Sequence, residues 1–511
     1  MAGATRAGRR EWIGLAVLAL ACLLYSMDLT VLNLALPAIS ADLEPSSAQL
    51  LWIVDVYGFV LAGSLITMGT LGDRIGRRRL LLVGAAAFAA ASVLAALSTS
   101  AEMLIAARAL LGLAGATLAP STLSLIRNMF LDPGQRTVAI GIWITSFSAG
   151  AVIGPPLGGL LLEFFWWGSV FLLALPVMGL ILLLGPVLLP EFRDPDAGRL
   201  DLVSAALSLA AVLAVIYGLK QIAQDGVEWP PLLAIAAGFV LAGVFVRRQQ
   251  RLADPLIDLR LFRVPAFSAS LATYLLGTFV AFGAFLFIFQ YLQLVLGLSA
   301  IKAGLWSMPY FAAFIVGSML TPVLVRGIRP AFVMGGGLVV AALGFGLLAQ
   351  VDESSGLPIF VTSAILFSLG LAPVFTLATD LIVGTAPPER AGVASALSET
   401  SSELGGALGI ATLGSIGTAL YRAQVDNAVP AGVPPEEAEA ARDTLGGAVA
   451  AAEELPDGLA AEMLDTVREA FAQGLQAAAL TSTAVAAATA VLAVVLLRHV
   501  QAGSEGSAPC A

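Results

Sequence analysis

Fourteen long apolar stretches run through this chain of 511 residues, and they constrain its fold more than any other feature. About 20 consecutive apolar residues allow a helix to cross a bilayer. Each stretch is apolar nearly all round, and a membrane span must satisfy its own backbone hydrogen bonds, so helix is favoured over strand. We therefore predict an all-α integral membrane protein with fourteen transmembrane helices. The predicted spans cover residues 13–37, 50–71, 79–98, 102–126, 137–162, 166–189, 201–222, 230–246, 267–296, 303–325, 331–350, 357–384, 391–420 and 475–497.

The composition excludes several other classes of protein. Apolar residues make up 59% of the chain and charged residues 12%, about half the charged share of a soluble domain. A net charge of −9 argues against nucleic acid as a partner, because nucleic-acid binding needs a basic face. The two cysteines, Cys22 and Cys510, and the single His499 form no cluster, so we expect neither a metal site nor an enzyme. The chain has no phosphate-binding Gly-x-x-x-x-Gly-Lys-Ser/Thr loop, which argues against ATP as the energy source, and we expect no cofactor.

Arginine sets the predicted orientation, because cytoplasmic loops carry an excess of basic residues. An even number of spans puts both termini on one side, and 20 of the 26 basic residues fall in segments on that side. We expect both termini in the cytoplasm and a multi-pass membrane protein in contact with lipid. Lys220 and Lys302, the only lysines, fall on the outer side, and we give them no function.

The lengths of the connections divide the chain into three parts. Residues 1–190 hold six spans, residues 191–265 hold two and residues 266–511 hold six. Six plus six spans predict two similar helical bundles that face each other, with two additional helices between them in sequence.

The outer segment 423–474 differs in composition from the rest of the chain. It holds 11 acidic and 2 basic residues, so it alone accounts for the net charge of −9. We predict an acidic extracellular loop that forms a hairpin or a cap, with short helices over 435–450 and 458–473.

The loop between the second and third spans reads Gly-Thr-Leu-Gly-Asp-Arg-Ile-Gly-Arg-Arg-Arg over residues 69–79. Glycines permit a tight turn and a close helix approach, and Asp73 can face a helix N-terminus or a neighbouring arginine. The pattern Gly-x-Leu-x-Asp-Arg-x-Gly-Arg-Arg resembles the signature loop of the major facilitator superfamily. The alternative is an arginine cluster that only sets topology, but this would need charge and not this spacing. The resemblance implies a cytoplasmic gating loop formed by Gly69, Gly72, Asp73, Arg74, Gly76, Arg77 and Arg78.

The fifth span carries a glycine-rich motif, Gly-Ala-Val-Ile-Gly-Pro-Pro-Leu-Gly-Gly over residues 150–159. A Gly-x-x-x-Gly face lets two helices touch, and prolines bend a helix. The motif resembles the one that marks antiporters within the superfamily, with ordinary helix packing as the alternative. Its residues are Gly150, Gly154, Pro155, Gly158 and Gly159.

The candidate functional residues within predicted spans are the acids Asp28, Asp55, Glu399 and Glu403 and the arginine Arg108. Ionisable residues in a membrane are costly and are functional candidates by default. Glu399 and Glu403 are four residues apart and share one helix face, where a carboxylate can bind either a proton or a cation. Arg108 resembles the intramembrane arginine of the superfamily, and the alternative is a side chain that snorkels to the membrane surface. We predict that these five residues bind substrate and couple its transport to protons.

Further segments narrow the resemblance. Residues 27–37 and 51–57 resemble the drug:proton antiporters with fourteen spans, and residues 386–406 resemble the QacA and SmvA group of quaternary-ammonium exporters. The resemblance covers essentially the full chain. It implies a monomeric, proton-coupled antiporter that exports lipophilic, mainly cationic drugs by alternating access.

A lipophilic cation suits an aromatic lining, because ring faces attract positive charge. Candidate lining residues in this sequence are Trp52, Tyr57, Tyr310 and Phe314. The main alternative function is a dedicated self-resistance exporter of one natural product or antibiotic. A membrane sensor and an integral-membrane enzyme are further alternatives.

Overall fold

The computed structural model describes residues 6–45, 47–193, 201–225, 228–252, 255–351, 356–430 and 432–500. All regular secondary structure in these residues is helical, as predicted. The α-helices are α1 (Arg9–Leu43), α2 (Ser47–Ile75), α3 (Arg77–Ala96), α4 (Ala101–Met129), α5 (Pro133–Phe164), α6 (Ser169–Leu172), α7 (Ala174–Leu188), α8 (Leu202–Asp225), α9 (Trp229–Gln249), α10 (Pro265–Gln290), α11 (Ala300–Leu324), α12 (Pro330–Leu348), α13 (Gly356–Thr385), α14 (Ala391–Ala428), α15 (Pro435–Asp443), α16 (Leu445–Ala452) and α17 (Asp457–Leu497). Short 3₁₀ turns lie at Leu259–Arg263 and Pro388–Arg390, and a π-helical turn at Tyr291–Val295.

Fourteen segments of the described chain are long and apolar enough to cross a membrane, which confirms the predicted number. The sixth span consists of α6 and α7, which are separated at Leu173. Pro176 explains the break, because proline lacks the backbone N–H and its ring clashes with the carbonyl four residues earlier, that of Leu172.

The buried apolar side chains form two large hydrophobic clusters. The first consists mainly of residues from α1 to α7, and the second mainly of residues from α10 to α17. Within the first cluster α1 packs on α5 and α2 on α4, and within the second α10 packs on α14 and α12 on α13 and α17. Contacts of α5 with α11 and α13, and of α14 with α2 and α4, join the clusters.

The two additional helices, α8 and α9, form a close hairpin. Gly238 of α9 lies so near α8 that a Cβ atom there would be 3.0 Å from the carbonyl oxygen of Ala211. Asp201 accepts hydrogen bonds from Arg248 Nε and Nη2 at 2.8 and 3.1 Å. These hydrogen bonds hold the pKa of the Asp201 carboxyl well below its ordinary value. Through α8 the hairpin packs against both α2 and α14, so it contacts both hydrophobic clusters.

The outer segment differs in part from its prediction. The predicted helix over 435–450 is divided at Thr444 into α15 and α16, where the Thr444 hydroxyl accepts a hydrogen bond from the Gly447 N–H at 3.0 Å. The prediction of a separate helix over 458–473 is wrong, because this stretch is the beginning of α17. Gly474 lies inside α17 without ending the helix, and it packs against the carbonyl oxygen of Gly417.

Candidate functional site

Asp28 on α1 and Arg108 on α4 form a buried ion pair. Arg108 Nη1 lies 2.6 Å from Asp28 Oδ2, and the side chains are 1% and 12% exposed. Arg108 Nε donates to the carbonyl oxygen of Ile53 at 3.2 Å, and the guanidinium carbon lies 4.6 Å from the centre of the Tyr57 ring. Partners on α1 and α2 therefore satisfy the arginine inside the protein, so Arg108 does not snorkel to the surface.

Tyr25 connects this ion pair to the second hydrophobic cluster. Its hydroxyl donates to Glu403 Oε1 on α14 at 3.3 Å, and its ring centre lies 6.3 Å from that of Tyr57. A continuous set of contacts thus runs from Asp28 through the two tyrosines to Glu403. Sequence reasoning misses Tyr25, although its position three residues before Asp28 places both side chains on one face of α1.

Glu399 lies one helical turn before Glu403 on α14, as predicted. It is 8% exposed, and within the described residues its Oε1 has no hydrogen-bond partner. A buried carboxylate oxygen without a partner is costly unless the group holds a proton or a cation. The two glutamates therefore have the chemistry of an exchange site.

Asp55 on α2 pairs with Lys220 on α8. The Asp55 side chain is 19% exposed and that of Lys220 36%. Lys220 Nζ also lies 4.8 Å from the centre of the Phe59 ring. The sequence analysis gives Lys220 no role and does not predict this pair. The available signal is the lysine itself, because a charge at the end of an apolar span needs a partner in the protein.

The predicted aromatic residues separate into two places. Tyr57 lies against Arg108, and Trp52 is 48% exposed with its ring centre 6.2 Å from that of Phe59. Tyr310 and Phe314 lie instead on α11, among aromatic side chains of α10 and α13. Of the four predicted aromatic residues, Tyr57 therefore lies next to the Asp28–Arg108 pair. Trp52 lies next to Phe59, the ring that contacts Lys220.

Asp73 of the gating loop contacts the N-terminus of α14. Its carboxylate accepts hydrogen bonds from the backbone N–H groups of Gly392 at 3.0 Å and Val393 at 3.1 Å. It also accepts one from Arg77 Nε at 2.8 Å. A helix N-terminus carries partial positive charge, so this placement stabilises the carboxylate.

Gly69 and Arg77 strengthen the same contact between the hydrophobic clusters. Arg77 is 1% exposed and donates to the carbonyl oxygens of Pro388 at 2.6 Å and Glu389 at 3.1 Å. At Gly69 a Cβ atom would lie 2.5 Å from the carbonyl oxygen of Gly392, so only glycine fits.

The prediction of a loop over residues 69–79 is wrong, because α2 continues to Ile75 and α3 begins at Arg77, so Gly76 alone separates the two helices. The remaining residues of the motif pack within the first cluster. Gly76 has a φ of 110°, a conformation that favours glycine. Arg78 Nη1 donates to the carbonyl oxygen of Leu189 at 3.1 Å. Gly72 is buried against α3, and Arg74 is partly exposed.

A second contact between the clusters lies at the same, arginine-rich end of the molecule. Arg136 Nε at the beginning of α5 lies 2.6 Å from Asp380 Oδ1 on α13. The hydroxyl of Thr137 donates to Asp380 Oδ2 at 2.5 Å. Together with the Asp73 contact, this ion pair joins the two clusters at that end of the molecule.

The glycine-rich motif of α5 packs against α1. A Cβ atom at Gly150 would lie 2.2 Å from the carbonyl oxygen of Leu23, and one at Gly158 would lie 2.7 Å from Val31 Cγ1. The helices therefore touch along the face that carries these two glycines.

The other motif residues contribute differently. Gly154, between the two contact glycines, is buried. Gly159 faces open space, with no atom within 4 Å of a Cβ placed there. Pro155 lies within α5, and its side chain is outside the described part of the structure. The motif thus provides a packing face and not a uniform row of contacts.

Comparison with known proteins identifies the family of the chain. The sequence pattern of the Major Facilitator Superfamily matches residues 18–410. The multidrug efflux pump LfrA of Mycolicibacterium smegmatis is 46% identical over 489 residues, which is 96% of each chain. The methyl viologen resistance protein SmvA of Salmonella typhimurium is 34% identical over 463 residues, 90% of this chain and 93% of SmvA. The tetracenomycin C resistance and export protein of Streptomyces glaucescens is 34% identical, covering 95% of this chain and 91% of its own.

Solved structures show the same fold. The human organic anion transporter MFSD10 aligns with a TM-score of 0.61 at 15% identity, over 95% of this chain and 99% of its own. A bacterial homologue of the lysosomal transporter Spinster aligns with a TM-score of 0.59 at 20% identity, over 98% of this chain and 99% of its own. Together with the fourteen apolar helices, these similarities identify the chain as a multi-pass protein of the bacterial plasma membrane that belongs to the Major Facilitator Superfamily.

Proposed function

We propose that this protein is a proton-coupled antiporter that exports lipophilic, mainly cationic drugs across the plasma membrane by alternating access. The observation that supports this most directly is the unequal pairing of the intramembrane acids. Asp28 and Asp55 each have a basic partner. Among the described residues, no basic side chain lies within ion-pair distance of Glu399 or Glu403. A carboxylate in this position needs a proton or a bound cation.

Because the two glutamates need either a proton or a bound cation, one can be exchanged for the other at this site. A cation that enters from the cytoplasmic side displaces a proton from the glutamate pair, and a proton from outside later displaces the cation. Inward movement of each proton gains about 2.3 kcal/mol per 100 mV of membrane potential. The Tyr25 hydroxyl can donate to an ionised Glu403 or accept from a protonated one, so it follows either state.

Two similarities support drugs, and cationic drugs in particular, as the substrate class. One relative is a multidrug efflux pump, and another is named for resistance to methyl viologen, which is a divalent cation. Aromatic faces near the acids, such as those of Tyr57 and Phe59, suit the same chemistry.

Residues 1–190 and 266–511 form the two rocking bundles, residues 191–265 supply the additional hairpin, and both termini lie in the cytoplasm. The two hydrophobic clusters support this division. In this scheme Asp73 and its partners on α14 form the cytoplasmic gate, and the protein works as a monomer without a cofactor.

Everted membrane vesicles test the proposed coupling. Vesicles that contain the protein and carry a proton gradient are expected to accumulate ethidium or dequalinium. Collapse of the pH gradient should stop accumulation, whereas transport that continues unchanged would reject the proton-coupled mechanism.

Glu403→Gln should remove coupled transport while the protein remains in the membrane. The amide cannot release a proton to an incoming cation, so accumulation in vesicles is expected to fall to background. Glu462→Gln, an exposed position on the outer part of α17, is the matched control and should transport like the wild type. Normal accumulation by Glu403→Gln would remove this residue from the coupling site.

A dedicated self-resistance exporter is the second candidate, and the similarity to the tetracenomycin C resistance and export protein favours it. A susceptibility panel in a host that lacks its own pumps separates the two. Protection against one natural product alone supports the dedicated exporter, and protection against several unrelated cations supports the multidrug exporter.

A further inference from the structure

Lys220 lies in surroundings that would also suit a cationic substrate. Its ammonium group pairs with the Asp55 carboxylate and lies 4.8 Å from the centre of the Phe59 ring. The rings of Trp52 and Tyr217 stand beside Phe59, at centre distances of 6.2 and 6.5 Å. A carboxylate with aromatic faces around it is the recognition chemistry of a lipophilic cation.

The position of α8 brings this lysine to both bundles. Lys220 lies within the apolar span Leu202–Ile222, and α8 packs against α2 and α14. Leu404, next to Glu403, packs against the small cluster that contains Phe59. The additional hairpin therefore delivers one positive charge to the acids of the transport body.

We propose that Lys220 is a tethered cation that competes with substrate for Asp55 and so disfavours divalent cations. The inference rests on the proposed transport of cations. With Arg108 on Asp28 and Lys220 on Asp55, Glu399 and Glu403 are the two of the four predicted intramembrane acids that have no ion-pair partner among the described residues. A second positive charge on the substrate needs another carboxylate, and Lys220 occupies the one at Asp55.

Lysine suits this task better than arginine. Its ammonium is a compact charge on a flexible stem, without the fixed fork that holds an arginine on a carboxylate. The side chain is 36% exposed, so it has room to leave Asp55 when a substrate arrives. Arg108, in contrast, has three partners, namely Asp28, the Ile53 carbonyl oxygen and the Tyr57 ring, and its side chain is only 1% exposed.

Binding to the purified protein in detergent tests the proposal, with tetraphenylphosphonium as the monovalent cation and dequalinium as the divalent one. Lys220→Gln should bind dequalinium at least about tenfold more tightly than the wild type, a change of about 1.4 kcal/mol. Its affinity for tetraphenylphosphonium should change much less. Lys302→Gln removes the other lysine, which is exposed at the beginning of α11, and should leave both affinities unchanged.

The double variant Asp55→Asn/Lys220→Gln tests whether the tighter dequalinium binding depends on Asp55. It removes both charges of the pair, so it should fold without a buried charge left over and should lose the tighter dequalinium binding. Unchanged dequalinium affinity in Lys220→Gln, or a gain that persists in the double variant, would overturn the proposal.

Amine labelling of the wild-type protein provides a test that needs no variant at position 220. The chain has only two lysines, so mass spectrometry can assign each modified site. Dequalinium should increase the labelling of Lys220 relative to Lys302, because a displaced ammonium becomes accessible. Unchanged or decreased labelling under saturating dequalinium would contradict displacement. Absence of tetraphenylphosphonium binding in every variant would instead reject the proposed function and this inference together.

Discussion

Asp28 and Arg108 illustrate how this protein accommodates charge inside the membrane. Each is costly alone, and their ion pair, the Ile53 carbonyl and the Tyr57 ring together satisfy the arginine. Removal of one partner from a buried pair leaves the other charge uncompensated, which costs about 3–5 kcal/mol. The pair is therefore a structural element as well as a neighbour of the exchange site.

Asp28→Asn should accordingly destabilise the protein, by an amount in that range of about 3–5 kcal/mol. Thermal unfolding in detergent should occur at a clearly lower temperature than in the wild type. Asp28→Asn/Arg108→Gln removes both charges and should recover most of the loss. Equal unfolding temperatures for Asp28→Asn and the wild type would mean that the ion pair does not support the fold.

The rule that ionisable residues in spans are functional candidates finds Asp28, Arg108, Glu399 and Glu403 from the sequence alone. It does not find their partners. Arg108 and Asp28 are 80 residues apart, and Tyr25 and Glu403 are 378 residues apart, so their contacts depend on which helices are neighbours in space. An isolated sequence does not contain that information.

At the scale of helices, hydropathy predicts the number of spans but not where each helix ends. The last helix begins at Asp457, whereas the predicted span begins at residue 475. Backbone hydrogen bonding continues beyond the apolar stretch, where polar side chains face water. Hydropathy measures only the part of a helix that meets lipid, so the ends outside the membrane escape it.

The contact between α1 and α5 gives a test at this scale. Gly150→Val should lower the unfolding temperature, because its Cβ would meet the Leu23 carbonyl oxygen at 2.2 Å and the helices must separate. Gly159→Val is the matched control in the same motif and should unfold close to the wild-type temperature, since nothing lies within 4 Å of its Cβ. Equal unfolding temperatures for the two valine variants would contradict the packing described for α5.

At the scale of the whole molecule, polar contacts join the two clusters at the arginine-rich end. Asp73 contacts the N-terminus of α14, Arg77 contacts the turn before it, and Arg136 pairs with Asp380. The loop motif predicts that such a gate exists and that Asp73 faces a helix N-terminus or an arginine. It does not identify α14 as the partner, because Gly392 lies 319 residues away in sequence.

Asp73→Asn should shift the protein toward a state that is open at this end. The amide carries no charge to interact with the helix N-terminus, an interaction typically worth about 0.3–1 kcal/mol. Spin labels at the exposed positions 79 and 389 report the opening as a longer distance in double electron–electron resonance. The control is Asp42→Asn, which should leave the distances unchanged. Asp42 is an exposed acid on α1 whose carboxylate accepts a hydrogen bond from Trp167 Nε1. Identical distance distributions for Asp73→Asn and the wild type would exclude a gating role for this contact.

In the proposed mechanism a proton and a cation compete for Glu399 and Glu403, and the release of protons on cation binding reports this competition. Tetraphenylphosphonium is added to the purified protein in weakly buffered detergent near neutral pH, and a pH indicator records protons that leave the protein. We predict that the wild type releases protons in proportion to cation binding and that Glu403→Gln releases far fewer. Saturating cation binding to the wild type without proton release would contradict the exchange mechanism.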